Sequence, residues 1–216
     1  MKKKDFEALG KRLITRMPGY ECKGSLIFVA PIGSILRGIG FEGSSFDKNN
    51  FFVWAFAQPM YVLQEYFTFT LGWRLGGGGG QIWNAQAGNL EEQLAAAIEF
   101  EAMPFLSKVL SPLRLIDEVT KLPRMRTNTV RRAFAYSYAR AGEIKKACVL
   151  FDETSKTLNP EIAWQKDEAE KTRALVETLK TDPVKAQAIL QSNEEATVRN
   201  LKLEEFYRGP AKLDRI

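Results

Sequence analysis

Asn50-Phe51-Phe52-Val53-Trp54-Ala55-Phe56-Ala57 is apolar at every position after the first, so a strand drawn through it carries apolar side chains on both faces. At a sheet edge such a strand would leave a row of aromatics in water, and the stretch is therefore expected to lie in the interior of a sheet. Asp47-Lys48-Asn49-Asn50 supplies a turn before it, and Ile35 to Gly43 supplies the partner strand on the other side of that turn. Working outward, Gly24 to Trp83 consists of short β-branched and aromatic runs broken by Pro, Gly, Asn and Ser, which places strands at 25–30, 35–43, 50–58 and 66–75 and a short fifth at 81–84. In 66–75, Phe67, Phe69, Leu71, Trp73 and Leu75 alternate with polar or small residues, so this strand is expected to have one apolar face. Five consecutive glycines, Gly76 to Gly80, form a loop between the last two strands.

Helical patterns flank this core. Phe6, Leu9, Leu13, Ile14 and Met17 recur at spacings of three and four ahead of Pro18-Gly19, the mark of a helix with one buried stripe. Asn89-Leu90-Glu91-Glu92 opens a second helix running to about Phe105, and Ser111-Pro112 opens a third. Beyond Leu122-Pro123 the pattern is helical throughout, with segments at 128–141, 143–155, 160–179, 183–191 and 193–207. The expected fold class is α+β: an antiparallel four- to five-stranded sheet with helices on one face, followed by an all-helical C-terminal region. The division into an α+β domain over 1–122 and a helical domain over 123–216 follows.

Among its 216 residues the chain has no histidine, which removes Ser/His/Asp and Cys/His nucleophile systems and HExxH zinc sites. Cys22 and Cys148 have neither CxxC spacing nor the number needed for a disulfide framework, so a reducing, cytoplasmic setting is expected, with no metal and no cofactor. No apolar run approaches the roughly 20 residues of a membrane span, and no membrane partner is expected. The remaining acid–base candidates, Glu21, Glu42, Asp47 and Glu65, have no diagnostic spacing, and a lone Cys22 is a packing residue before it is a nucleophile. The sequence thus leans away from an enzyme.

The net charge of +5 is unevenly spread. Residues 1–120 balance 12 Lys/Arg against 12 Asp/Glu, whereas 121–216 hold 19 against 14. In 121–146 the eight basic residues Lys121, Arg124, Arg126, Arg131, Arg132, Arg140, Lys145 and Lys146 face only Glu143. Such a stretch suits phosphates or an acidic protein surface. Arg131, Arg132, Lys145 and Lys146 are the candidate partner-binding residues; nucleic acid is a weaker expectation because no recognised nucleic-acid motif accompanies them.

Ala133-Phe134-Ala135-Tyr136-Ser137-Tyr138-Ala139-Arg140-Ala141-Gly142-Glu143-Ile144-Lys145-Lys146-Ala147, followed by Phe151 and Pro160, resembles one tetratricopeptide unit. Ala135 and Ala147 match the small residues where paired helices touch, Tyr138 and Phe151 the large ones between them, and Gly142 the turn. Arg131 stands where the family has its leading aromatic, and no second copy follows at the 34-residue period. The resemblance implies a helical hairpin that packs on its neighbours, and a peptide-binding groove. A protein-protein interaction module is accordingly the expected function.

The sheet carries a second candidate site. Arg37 and Arg74 are charges within strands built for burial, and two guanidinium forks converging on a sheet surface, with Glu42 nearby and Trp73 and Trp83 beside the glycine loop, would hold a small anionic ligand or an enzyme's substrate. The glycine run itself lacks the Gly-Lys-Ser/Thr ending of a phosphate loop.

Overall fold

The computed structural model describes residues 1–77, 80–122 and 127–209. Helix α1 (Lys3–Ile14) leads into strands β1 (Tyr20–Lys23), β2 (Leu26–Val29), β3 (Ile35–Gly43), β4 (Asn50–Pro59), β5 (Gly72–Arg74) and β6 (Trp83–Asn84). All pairings are antiparallel, in the order β1-β2-β3-β4-β5, with β6 also pairing β4 near the start of that strand. β3 and β4 pair along their whole length, from Ile35 opposite Pro59 to Gly43 opposite Phe51. The doubly apolar strand is interior, flanked by β3 on one side and by β5 and β6 on the other.

Odd-numbered residues of β3 and β4 (Ile39, Phe41, Phe51, Val53, Ala55) point into the larger core with Phe6, Leu9 and Leu13 of α1. The same core takes Leu90 and Leu94 of α2 (Leu90–Ala97), Phe105 and Leu106 of α3 (Met103–Leu106), and Leu115 and Val119 of α4 (Pro112–Thr120). Between α2 and α3 a π turn, Ile98–Ala102, precedes Pro104. Proline has no N–H and its ring crowds the carbonyl four residues back, so the widened turn lets the helix continue through it. The remaining helices are α5 (Asn128–Arg140), α6 (Ile144–Ser155), α7 (Ala163–Thr181) and α8 (Pro183–Asn200). No helix among the described residues is long and apolar enough to cross a membrane. Val130, Ala133, Tyr136, Leu175 and Leu190 belong to the same buried cluster as the sheet residues, so apolar packing is continuous across residue 122.

Even-numbered residues face the other way. Leu26, Phe28, Leu36 and Phe56 form a second core with Met60, and its cover is the end of the chain: Val198, Leu201 and Leu203, with Phe206 and Tyr207 at its margin. Lys202 has φ of 57°, the left-handed turn that stops α8, and Leu203 N–H donates to Val198 O at 3.0 Å, closing the six-residue loop typical of a helix C-terminus. The turn directs Leu201 and Leu203 onto the sheet. Ile32 N–H donates to Phe206 O at 2.8 Å and Arg208 N–H to Ile32 O at 3.2 Å, which ties the segment to the β2–β3 connection.

Three expected boundaries are corrected. The strand drawn over 66–75 shrinks to Gly72–Arg74, because Phe69 leaves the alternation to lie across Trp54 on the second face, ring centroids 5.3 Å apart, over a site where Gly40 has no side chain. A strand over Tyr20–Lys23 is added at the edge. The helices expected at 183–191 and 193–207 are one helix ending at Asn200, started by Asp182, whose carboxylate accepts the Lys185 N–H at 3.0 Å.

Two outcomes follow from the second core. A 1–122 fragment would uncover Phe28, Leu36, Phe56 and Met60, each worth about 2 kcal/mol when buried; such a fragment is expected to bind a hydrophobic dye and to self-associate, and a monomeric, dye-silent fragment would contradict the shared packing. Glycine at Lys202 removes a left-handed L-residue, so Lys202→Gly should raise the unfolding free energy by up to about 1 kcal/mol in urea titrations, the relief exceeding the added chain entropy.

Candidate functional site

The sheet arginines do not meet. Arg37 is odd-numbered on β3, opposite Ala57, and faces the helices: half-buried, it donates through Nη1 to the Leu106 carbonyl. Burial lowers its pKa, with Tyr20 opposing that shift. Arg74 pairs opposite Trp54 and points to the other face. The expected convergence is therefore split by the thickness of the sheet. The alternating side-chain direction decides this, and strand register was not legible from Arg37 and Arg74 taken separately.

Arg74 is already engaged. Its guanidinium lies 3.7 Å from the Phe52 ring centroid and 4.9 Å from that of Trp54, and its Nη2 donates to Glu42 Oε2 at 3.1 Å. The same Glu42 oxygen accepts from Trp54 Nε1 at 2.8 Å. These groups form a half-exposed ladder in which aromatic faces and a carboxylate engage the cation, with Arg74 Nε buried and making no hydrogen bond. Trp73 and Trp83 sit on the helix side: Trp73 meets Phe105 edge-on at 5.0 Å, and Trp83 is buried against Phe51 of β4. Neither presents a face for a flat ligand. Cys22 packs α1 on the sheet, its Sγ against Gly10, and burial pushes its pKa up to about 11, with Glu7 adding to the rise; it is a thiol at neutral pH and a poor nucleophile.

The basic stretch is divided as well. Lys121 pairs with Glu118 at 2.5 Å, Arg132 with Glu168 at 2.6 Å, Arg140 with Glu194 at 3.4 Å and Lys146 with Glu143 at 3.2 Å. Arg124 and Arg126 lie outside the described residues. Arg131 and Arg132 stand near the start of α5 and Lys145 and Lys146 beyond its end; the nine residue steps from Arg131 to Arg140 alone span about 13 Å. The four expected partner-binding residues do not form one patch.

At the α6 end a groove opens. α5 and α6 pack as a hairpin through Ala135, Ala139 and Ala147, all fully buried, and Tyr136 meets Phe151 edge-on at 5.0 Å. Tyr136 fills the space between the helices, whereas Tyr138, expected there, turns outward. Phe134 and Tyr138, one turn apart, floor a groove of about 500 Å³ whose walls are Ile116 and Thr120 of α4 and Lys145, Lys146, Val149 and Leu150 of α6. Lys146 Nζ lies 5.5 Å from the Tyr138 ring centroid, Lys145 is exposed, and Val149 is 58% exposed. The result is an apolar trough with ammonium groups on one rim.

A second polar assembly lies in the interior. Arg140, 9% exposed, donates to Gln187 Oε1 and Gln191 Oε1, both at 3.0 Å, and to Glu194 Oε2; Tyr207 hydroxyl donates to Glu194 Oε1 at 3.0 Å. Nearby, the Tyr61 hydroxyl and Ser137 Oγ are 2.7 Å apart. Glu194 is fully buried, and its pKa is raised because burial outweighs Arg140 and the hydrogen bonds from Tyr207, Ser34 and Arg140. The network can hold α8 and the chain end against α5, but it opens on no cleft among those described and contains no free nucleophile. Sequence reasoning missed it, although Glu194 between Leu190 and Val198 and Arg140 after Ala133 and Ser137 break buried stripes at helical spacing. Among the described residues no three His, Cys, Asp or Glu side chains are grouped to hold a metal ion.

No family model, no curated protein and no solved structure matches this chain.

The buried carboxylate has a pH signature. With the folded pKa of Glu194 above the ordinary 4.5, the native state keeps a proton that the unfolded chain has lost, so its contribution to stability falls as pH rises from 4.5 through the raised value and then levels. Glu194→Gln removes that slope. In urea unfolding between pH 4.5 and 7.5, the stability of the natural chain relative to the variant should decline with pH; a parallel pair of curves would contradict it.

Proposed function

We propose that the protein acts by binding a protein partner, and that the binding surface is the trough between α4 and α6. The observation that carries this reading is an open groove of about 500 Å³ lined by Ile116, Phe134, Tyr138, Val149 and Leu150 on the surface of an otherwise close-packed helical region. Val149 is exposed and Phe134, Tyr138 and Leu150 are partly so, an apolar strip that one face of a helix can cover. Lys145 and Lys146 on the rim select the occupant: an amphipathic segment with apolar residues spaced along one face and acidic side chains toward the lysines. The likeness of 133–147 to a tetratricopeptide unit supports the same reading, since hairpins of that family bind peptides. Two free thiols, Cys22 and Cys148, support a cytoplasmic, reducing setting.

Enzymatic readings have less to stand on. Arg37 and Arg74 lie on opposite faces, Cys22 is held as a thiol, and among the described basic residues of 121–146 Lys121, Arg132, Arg140 and Lys146 pair with carboxylates.

The test is a designed helical peptide with Leu at positions i, i+3, i+4 and i+7 and Glu on one flank, titrated into isotopically labelled protein. Saturable shifts at Phe134, Tyr138, Val149 and Leu150 are expected, lost in Val149→Asp. Lys145→Glu with Lys146→Glu should weaken binding by about tenfold, chiefly through slower association. Equal binding of the same peptide with Lys in place of Glu, or shifts confined to another surface, would overturn the proposal.

A further inference from the structure

Gln58 on β4 is 2% exposed. Its Oε1 accepts the Thr68 N–H at 3.1 Å, which fixes the orientation of the amide, and its Nε2 is buried with no partner. A buried amide nitrogen left so costs about 1–3 kcal/mol, a cost that an occupant able to accept its hydrogen bonds removes. The residue lines a small cleft between the 58–71 segment and the first turns of α5, with Thr68, Thr70, Thr129 and Arg132 around the same space. The cleft volume is about 30 Å³. At about 10–15 Å³ for each water-sized centre, it takes two oxygen-sized atoms side by side.

The lining is rich in donors. Gln58 offers both amide hydrogens, three threonine hydroxyls can turn to donate, and Arg132 brings a guanidinium whose buried Nε also makes no aligned hydrogen bond. Thr129 belongs to the opening turn of α5, a 13-residue helix, where unpaired backbone N–H groups add to the positive potential. No carboxylate lines the cleft itself. The nearest is Glu168 of α7, 2.6 Å from Arg132 Nε, partly buried, with neither Arg132 Nε nor Glu168 Oε1 in hydrogen-bonding alignment. Glu168 thus balances the charge of Arg132 while the contact at Nε stays out of line.

We propose that this cleft binds the carboxylate head of a small organic acid, its two oxygens accepting from Gln58 Nε2 and Arg132, with the threonine hydroxyls completing the shell. Glu168 is the internal competitor for Arg132. A space of about two oxygen-sized positions, a donor-rich wall free of carboxylates and a guanidinium suit the flat, two-oxygen head of a carboxylate. The site is independent of the α4–α6 trough: Arg132 faces the sheet and Phe134 the groove.

The experiment follows the side-chain amide signal of Gln58 in ¹⁵N spectra of the full chain, titrated with sodium acetate against sodium chloride at constant ionic strength. Saturable movement of that signal with acetate is expected. Glu168→Gln, which removes one close like charge, should tighten acetate by at least about tenfold. Gln58→Met should abolish an acetate-dependent rise in melting temperature that the natural chain and Glu168→Gln both display. The proposal is overturned if the Gln58 amide does not respond to acetate in either the natural chain or Glu168→Gln, if Glu168→Gln leaves the affinity unchanged, or if phosphate moves the signal and acetate does not. Because the amide signal is read in the unmutated protein, loss of folding in Gln58→Met would not spare the proposal from those outcomes.

Discussion

A strand that is apolar on both faces needs two covers, and β4 has local helices for only one. Phe51, Val53 and Ala55 are met by α1 and the helices of the middle of the chain, but Phe56, together with Phe28 and Leu36 from its neighbours, points away from them. The second cover comes from residues 198–207, nearly 150 positions later in the sequence. Everything between must therefore bring the chain back across the sheet. α5 lies at the centre of that return, buried at Val130, Ala133, Ala135, Tyr136, Ser137, Ala139 and Arg140, and α8 runs over it to deliver the terminal segment.

Delivery requires register as well as direction. Arg140 and Glu194 form an ion pair in the interior, which on burial costs alone would be replaced to advantage by apolar side chains. Its geometry shows what the charges supply instead. Gln187 and Gln191, two turns and one turn before Glu194, both accept from the same guanidinium, and Tyr207 closes on the far oxygen of Glu194. Sliding α8 by one turn would break the Arg140–Glu194 pair and leave the Glu194 carboxylate buried without it, whereas an all-apolar seam would tolerate the slip. The same helix position then sets where Lys202 turns and where Leu203 lands. The network is thus a positional device first.

What could be read in the sequence divides along physical lines. Patterns that are local and periodic were legible: the interior strand, the helix over Lys3–Ile14, the Asp182-Pro183 start, the helical hairpin around Gly142 and the fold class. Strand 66–75 was misread because alternation reports a face only if the backbone stays extended, and Phe69 instead crosses the sheet to stack on Trp54 over Gly40. The sheet-surface site failed for a related reason, since Arg37 and Arg74 are both strand charges but register sends them to opposite faces. Arg140 was counted with the basic stretch and Glu194 was not singled out, although their places in apolar stripes marked both as buried. Gln58 carried no signal at all: a glutamine at the end of a strand becomes notable only when three dimensions remove its partners.

The two candidate sites divide one helix between them. On the side of α5 toward the sheet, Thr129 and Arg132 border a cleft with unspent donors; on the opposite side, Phe134 and Tyr138 floor an apolar trough. The residues are interleaved at a spacing of two to four, so any rotation or axial shift of α5 that deepens one opening alters the other. Arg132 is held by Glu168 of α7, while the trough is walled by α4 and α6, and α6 leads into α7. α7 is held by more than that pair, since Leu175 and Leu179 are buried in the larger core, so losing the Arg132–Glu168 contact alone would leave the helix seated. Arg140, on the buried side of the same helix, ties α5 to α8 through Gln187, Gln191 and Glu194, so both openings are built on a helix whose place the interior network fixes.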